Sequence, residues 1–111
     1  MAVMGIIKGG NVSESLELLY NATDTRAGGT VNESLTLSKS KKAQLILWTI
    51  NGLEIVKDLN TDIEYRNDTS SGAQTTGNNF ITNITNTGNG TISFTTSGFS
   101  TSKTQRFMIY G

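Results

Sequence analysis

With 111 residues, nine basic and nine acidic side chains and no formal net charge, the chain can close over one hydrophobic core and no more. The charge balance excludes a protein held on nucleic acid by phosphate contacts, which needs a basic excess, and an electrostatic membrane anchor. The absence of Cys and His excludes a disulfide framework, a thiolate metal site and the commonest general base.

Thr, Asn and Ser supply 39 of the 111 residues, Gly supplies 12, and there is no Pro. Thr favours strands, whereas Asn, Ser and Gly favour turns, so the composition points to short strands joined by many turns. The N-terminal run Met1-Ala2-Val3-Met4-Gly5-Ile6-Ile7-Lys8 lacks a charged n-region and a long apolar core, and is not read as a signal peptide. Residues 1–11 are expected to form a flexible arm on a single domain that takes up the chain, 1–111.

The first patterned segment is 12–20, where Leu16, Leu18 and Tyr20 alternate with Glu17 and Leu19. A strand fits, but Leu16, Leu19 and Tyr20 also fit one helical face, with Asn11 as cap and Glu14 three residues on. Past Gly28-Gly29, Leu35 and Leu37 alternate with Ser34, Thr36 and Ser38. Lys41 and Lys42 then precede Gln44-Leu45-Ile46-Leu47-Trp48-Thr49-Ile50. The lysines read as a solvated turn or as charges guarding a strand against edge pairing.

That strand is apolar on both faces: Leu45 and Leu47 point one way, and Ile46, Trp48 and Ile50 the other. Either a loop covers the outer face of a central strand, or Leu45, Leu47, Trp48 and Ile50 belong to a subunit interface. The run Leu45 to Trp48 is too short to span a bilayer. Asn51-Gly52 next supplies the left-handed pair of a two-residue hairpin.

Alternation resumes at Leu53, Ile55 and Lys57 and again at Ile63 and Tyr65. The segment Asn67 to Asn79 has no apolar residue except Ala73 and reads as a long exposed loop. Phe80, Thr82 and Ile84, then Ile92 and Phe94, then Phe107 and Ile109 complete the patterned runs, with a turn at Asn86 to Gly90. The sum is an all-β, antiparallel β-sandwich, jelly-roll-like, of about seven or eight short strands.

Chemistry is sparse. Nucleophile–base pairs of the Ser–His or Cys–His kind cannot be built. A carboxylate pair is the remaining hydrolytic device, with Glu54, Asp58, Asp62 and Glu64 as candidates; Asp62 and Glu64 are expected on one strand face, where solvated charge is the plainer reading. Asp58-Leu59-Asn60-Thr61-Asp62 opens like a calcium loop, but the positions that need Gly and a bidentate Glu hold Ile63 and Thr69. No phosphate loop, cofactor motif or catalytic constellation is found. Six Asn-X-Ser/Thr sequons, at Asn11, Asn21, Asn32, Asn67, Asn83 and Asn89, follow from the Asn, Ser and Thr content. Tyr65, Arg66, Asn67 and Asp68, at the mouth of the long loop, are the candidate ligand-binding residues, with Tyr65 as an aromatic platform.

Two stretches carry a family resemblance. One is Leu18-Leu19-Tyr20-Asn21-Ala22, a short polar loop, and Thr30-Val31 leading into Leu35-Thr36-Leu37-Ser38. The other is the terminal Arg106-Phe107-Met108-Ile109-Tyr110-Gly111. Together they resemble the small C-terminal β-sandwich domain of tail, baseplate and receptor-binding proteins from phages and prophages of Gram-positive bacteria. The first loop lacks the Pro common in such domains. The resemblance implies a non-enzymatic virion component and a homo-oligomer, with a trimer favoured, that contacts other virion proteins and a bacterial surface saccharide. A purely architectural capsid-decoration or tail-completion subunit is the alternative, and a carbohydrate-active enzyme the third. No cofactor, nucleic acid or membrane insertion is expected, and the location is the virion, after synthesis in the host cytoplasm.

Overall fold

The computed structural model describes residues 16–69, 73–77 and 80–111. Among them lie nine strands and no helix: β1 (Leu18–Arg26), β2 (Gly29–Thr36), β3 (Leu45–Ile50), β4 (Leu53–Asp58), β5 (Ile63–Asp68), β6 (Ala73–Gly77), β7 (Ile81–Asn86), β8 (Thr91–Phe99) and β9 (Lys103–Tyr110). They form a six-stranded sheet in the order β1-β9-β3-β4-β5-β6 and a three-stranded sheet in the order β2-β8-β7. Every pairing is antiparallel. The sheets pack on each other through their apolar faces, which makes the chain a β-sandwich.

Four connections pass between the layers, β1–β2, β2–β3, β6–β7 and β8–β9, and the first and last of these crossings lie side by side. The β1–β2 connection leaves the large sheet for the small one, and the β8–β9 connection returns. Because β1 pairs with β9 and β2 with β8, one ribbon lies along the other and splits over both sheets. This is the jelly-roll-like part of the fold; β3 to β6 are instead a meander of successive hairpins in one sheet. The two crossings touch: a Cβ at Gly28 would lie 2.3 Å from the Ser100 carbonyl oxygen, so only glycine fits there. At the β3–β4 hairpin, Asn51 (φ 51°) and Gly52 (φ 80°) take the left-handed conformation that a tight two-residue turn demands, closed by the Ile50–Leu53 pair.

The core is built from period-two alternation on both sheets. Leu19, Ile46, Trp48, Ile50, Ile55, Phe107 and Ile109 of the large sheet meet Leu35, Ile81, Ile92 and Phe94 of the small one. Trp48 stacks on Phe107 at 5.6 Å between centroids and takes the edge of Phe99 at 5.7 Å. Its indole Nε1 donates to Gln105 Oε1 at 2.9 Å, so the only polar atom of the ring is satisfied inside the core.

Four sequence expectations are corrected here. Trp48 and Ile50 are not interface residues: they are closed to solvent within one chain and belong to its own core. The stretch 67–79 is not one long loop: β5 runs to Asp68, and Ala73–Gly77 pairs with it as β6, a strand that alternation could not reveal because Gln74, Thr75 and Thr76 are all polar. The segment taken as strand or helix is a strand from Leu18 on, and it continues through the polar residues to Arg26. Glu64 is not a solvated surface carboxylate, as shown below. Residues 1–11, expected to be an arm, lie outside the described residues, as do 12–15, 70–72 and 78–79.

Candidate functional site

Antiparallel partners project from the same face of a sheet, so the register assigns every side chain of the large sheet to one side. The core residues fix the inner face. On the outer face the side chains fall into rows that cross the strands β1, β9, β3, β4 and β5. The first row is Leu18, Tyr110, Leu45, Asp58 and Ile63. The second is Asn21, Met108, Leu47, Val56 and Tyr65, and the third is Thr23, Arg106, Thr49, Glu54 and Asn67.

The outer face is therefore half apolar and half polar. The only exposed large hydrophobic residues among those described are Leu18 (44%), Ile63 (42%) and Tyr65 (37%). All three fall in the first two rows. Leu45 and Leu47, in the middle of those rows, are closed to water at 0% and 4%, so, like Trp48 and Ile50, they are buried within one chain and not interface residues. In the third row, Arg106 Nε donates to Asn21 Oδ1 at 2.9 Å and Asn67 Nδ2 donates to Glu54 Oε1 at 3.2 Å. A shallow groove of about 440 Å³ runs along this polar end and is lined by Thr23, Thr49, Gly52, Glu54, Thr104 and Arg106, among others.

The four candidate ligand-binding residues do not form one cluster. Strand alternation sends Tyr65 and Asn67 to the outer face and Arg66 and Asp68 to the inner one. Arg66 lies over the Phe80 ring at 4.8 Å from its centroid. The interface candidates divide in the same manner: Leu45 and Leu47 are on the outer face, and Trp48 and Ile50 on the inner.

The acidic candidates hold the fold together. Glu64 is fully buried and accepts the backbone N–H groups of Phe80 and Ile81, both at 3.0 Å, so it caps the start of β7 from the opposite sheet. Asp62 is 82% exposed at its side chain and pairs with the buried Lys57 at 3.0 Å. Asp58 Oδ1 accepts from Asn60 N at 2.9 Å and closes the β4–β5 turn, where a calcium loop would have left it open. Asp62 and Glu64 thus do not share a face: Asp62 sits in the turn with φ 62°, outside the strand's alternation.

The fold brings together a pair that sequence reasoning missed. Gln105 Nε2 donates to Asp24 Oδ1 at 2.9 Å and to Glu33 Oε2 at 3.1 Å. Asp24 and Glu33 lie equally far from the Gly28-Gly29 turn, and that equal spacing is the signal that could have found them. Nearby, the Tyr20 phenol is pushed above its ordinary range, first by burial and then by the charges of Asp24 and Glu33. At the first-row end of the sheet, Glu17 accepts from Lys39 at 2.6 Å and Lys41 at 3.1 Å. These bonds hold its carboxyl below the usual range. Lys41 is thus an ion-pair partner of the strand entry as well as a turn residue.

Comparison with known protein families, with characterised proteins and with solved structures finds no match for this chain. Among the described residues no group of three or more His, Cys, Asp or Glu side chains is placed to hold a metal ion. What the arrangement offers chemically is a surface: apolar rows for packing, and a row of amide, hydroxyl, carboxylate and guanidinium groups for directional bonds.

Proposed function

We propose that the chain is a non-enzymatic structural module of a phage particle, held in its assembly through the outer face of the six-stranded sheet. One observation carries the docking reading: Leu18, Ile63 and Tyr65, the exposed large hydrophobic residues, gather in two adjacent rows of one face. Ile63 and Tyr65 adjoin on β5 and Leu18 lies across the same face on β1, and exposed large apolar side chains collected on one face beside polar groups mark an interaction surface. The particle reading rests on the sequence resemblance at Leu18 to Ser38 and at Arg106 to Gly111. The structural commitments of Glu64, Asp58 and Asp62 favour assembly over hydrolysis. Mass spectrometry of gradient-purified particles from the producing bacterium tests the proposal. The chain is expected as a stoichiometric component, and its absence from particles overturns the reading.

A second reading is favoured by Tyr65. It is an exposed aromatic ring on β5, one row from Asn67 and from Glu54 of the neighbouring strand, and sugars pack their apolar faces on such rings while neighbouring polar groups take the hydroxyls. In this reading the outer face contacts a host surface saccharide. Retention on isolated bacterial walls that is lost in Tyr65→Ala supports it; equal retention of both proteins, or none of either, removes it.

A further inference from the structure

We infer that the outer side of β3 is covered by this chain's own N-terminal segment, with the apolar run 2–7 as the part that docks there. Leu45, Leu47 and the neighbouring Asp58 all project outward and are all closed to water. In their rows they are flanked by Tyr110, Met108 and Val56. Side chains of one sheet stand beside each other, not over each other, so these flanks narrow the approach of water without closing it. A sheet face with no layer above it stays wetted. Two leucines closed to water in the middle of such a face require a cover.

None of the described connections supplies it. The β2–β3 connection lies on the small-sheet side: a Cβ at Gly88 would be 3.3 Å from Lys42 N, and one at Gly90 3.3 Å from Ser40 Oγ, and both glycines belong to the β7–β8 turn. In the β4–β5 turn, Leu59 packs against the core and shares a cleft with Ile84 and Asn86 of the small sheet. The Asn51-Gly52 turn is held to Thr69 at the third-row end, and Ser100 and Thr101 lie against Gly28 at that same end. Residues 70–72 and 78–79 are Ser, Gly and Asn, without an apolar side chain, and are tied to the strands beside the far edge of the sheet.

Residues 1–15 have what the others lack. Ala2-Val3-Met4-Gly5-Ile6-Ile7 carries no charge that docking would desolvate, and the stretch Lys8 to Ser15 that follows has Val12 as its one apolar side chain. The described chain also begins in the right place. Backbone bonds join Glu17 to Gly111 in both directions, which sets the entry to β1 at the first-row end, the end that holds Leu45. From β1 to β3 is two strand spacings, about 10 Å. Eight extended residues span up to about 26–29 Å, so the polar stretch 8–15 reaches across β9 and delivers the apolar run to Leu45 and Leu47. The arm expected from the sequence thereby gains a seat. The inference stands apart from the docking reading, which keeps Leu18 on one flank of the segment and Ile63 and Tyr65 on the other.

The chain has no Cys, so introduced thiols test this in the full chain. Ile6→Cys and Ile7→Cys are each combined with Val56→Cys, beside Leu47, and with Ser93→Cys, on the outer face of the small sheet. The faster Val56 pair is expected to form an intrachain disulfide at a rate independent of protein concentration and at least about tenfold above that of either Ser93 pair. A second measurement reads the cover directly. Labelling of Leu47→Cys by a thiol reagent is expected to be slow, and at least about tenfold faster once Val3, Met4, Ile6 and Ile7 are replaced by Ser. Trp48, which faces the other layer, should keep its fluorescence; a change there reports unfolding, and the cross-linking ratio then decides alone. Equal cross-linking at Val56 and Ser93, cross-links found only between chains, or labelling that the Ser replacements leave unchanged overturns the proposal. None of these outcomes bears on the presence of the chain in particles, so this inference and the proposed function fail separately.

Discussion

The guanidinium of Arg26 lies 5.8 Å from the centroid of the Trp48 ring and 5.9 Å from that of Phe99. It is 1% exposed, and each of its five N–H groups has an acceptor. Nε donates to Thr96 Oγ1, one Nη to the Ala27 and Phe99 carbonyls, and the other to the Gly29 and Thr96 carbonyls. A buried cation with no carboxylate bonded to it, here with only the charge of Glu33 acting from a distance, is costly unless its hydrogen bonds are complete and its faces are covered. Here the polar edge ties the β1–β2 crossing to β8, and the faces rest on the aromatic core.

Arg26→Lys is expected to lose about 2–4 kcal/mol, because an ammonium has three donors where five acceptors wait and no planar face for the rings. Urea denaturation followed by Trp48 fluorescence checks this: the midpoint should fall while the slope stays constant. A change below about 1 kcal/mol would mean that water serves those carbonyls as well as the guanidinium does.

Glu64→Gln is a second test of structure against chemistry. Both carboxylate oxygens accept backbone N–H groups, and an amide can present only one acceptor to them; its NH₂ faces a second donor. A loss of about 1–3 kcal/mol is expected, with a melting temperature lower by roughly 5–15 °C for a domain of this size. An unchanged melting temperature would contradict the capping role.

Much of the fold is legible in the sequence where burial is one-sided. Leu35, Ile92, Phe94, Phe107 and Ile109 alternate with polar residues, and each lies in the core. Asn51-Gly52 announces its hairpin because few other residues tolerate two left-handed positions in succession. The strand Leu45–Ile50 is continuous apolar sequence, and the structure buries both of its faces. What could not be read has a common cause. In Asn21–Arg26 the outward residues are Asn21, Thr23 and Thr25 and the inward ones Ala22, Asp24 and Arg26, and β6 reads Ala-Gln-Thr-Thr-Gly, so neither stretch carries a hydrophobic period. The buried charges Arg26, Lys57 and Glu64 look like surface residues until a long-range partner is known. The candidate face was half visible: Leu45, Leu47 and Tyr65 were noted, but joining them needed the register between five strands, which no single segment encodes.

Acid should loosen the strand entry. The Glu17 carboxyl is held below its ordinary range by Lys39 and Lys41, so the folded state binds its proton more weakly than the unfolded chain. That contribution is present above the unfolded carboxylate range and is lost as pH falls through the lower folded value. Because the pair is exposed, the effect is small and screened by salt. Protection from amide exchange, taken relative to the intrinsic rate at each pH, at Glu17 and Ser38, whose N–H groups bond Gly111 and Leu19 carbonyls, is expected to fall below about pH 4 more at low salt than at high. Glu17→Gln should abolish that difference; persistence of the salt effect in the variant would place its origin elsewhere.

Alkali acts with the opposite sign on Tyr20. Its phenol is raised by burial and by the Asp24 and Glu33 charges, so the folded state keeps the proton at a pH where the unfolded chain has begun to release it. Stability is then full below the unfolded value near 10 and declines as pH rises through the folded one. Tyr20→Phe is expected to flatten the decline above about pH 10, measured by urea midpoints in that range. A parallel decline in the variant would assign the effect to another phenol.

Two glycines separate backbone strain from steric exclusion. Gly29 (φ +86°) has nothing within 4 Å of a built Cβ, whereas Gly98 (φ +100°) would place one 2.9 Å from Phe80 Cε1 and 3.0 Å from Cδ1. An L-residue at either position bears the left-handed penalty of about 1–2 kcal/mol. At Gly98 the added methyl must also push the Phe80 ring, which packs edge-on against Phe99 at 5.8 Å and beneath the Arg66 guanidinium. Displacing an aromatic ring from a filled site adds roughly 1–3 kcal/mol. Gly29→Ala is therefore expected to lower stability by about 1–2 kcal/mol and Gly98→Ala by about 2–5, measured as the difference in urea midpoint at equal slope. Adding Phe80→Leu to Gly98→Ala should recover part of the second cost, since the smaller side chain makes room for the methyl. If the two glycine variants lose the same stability, the Phe80 contact contributes nothing and strain alone accounts for both.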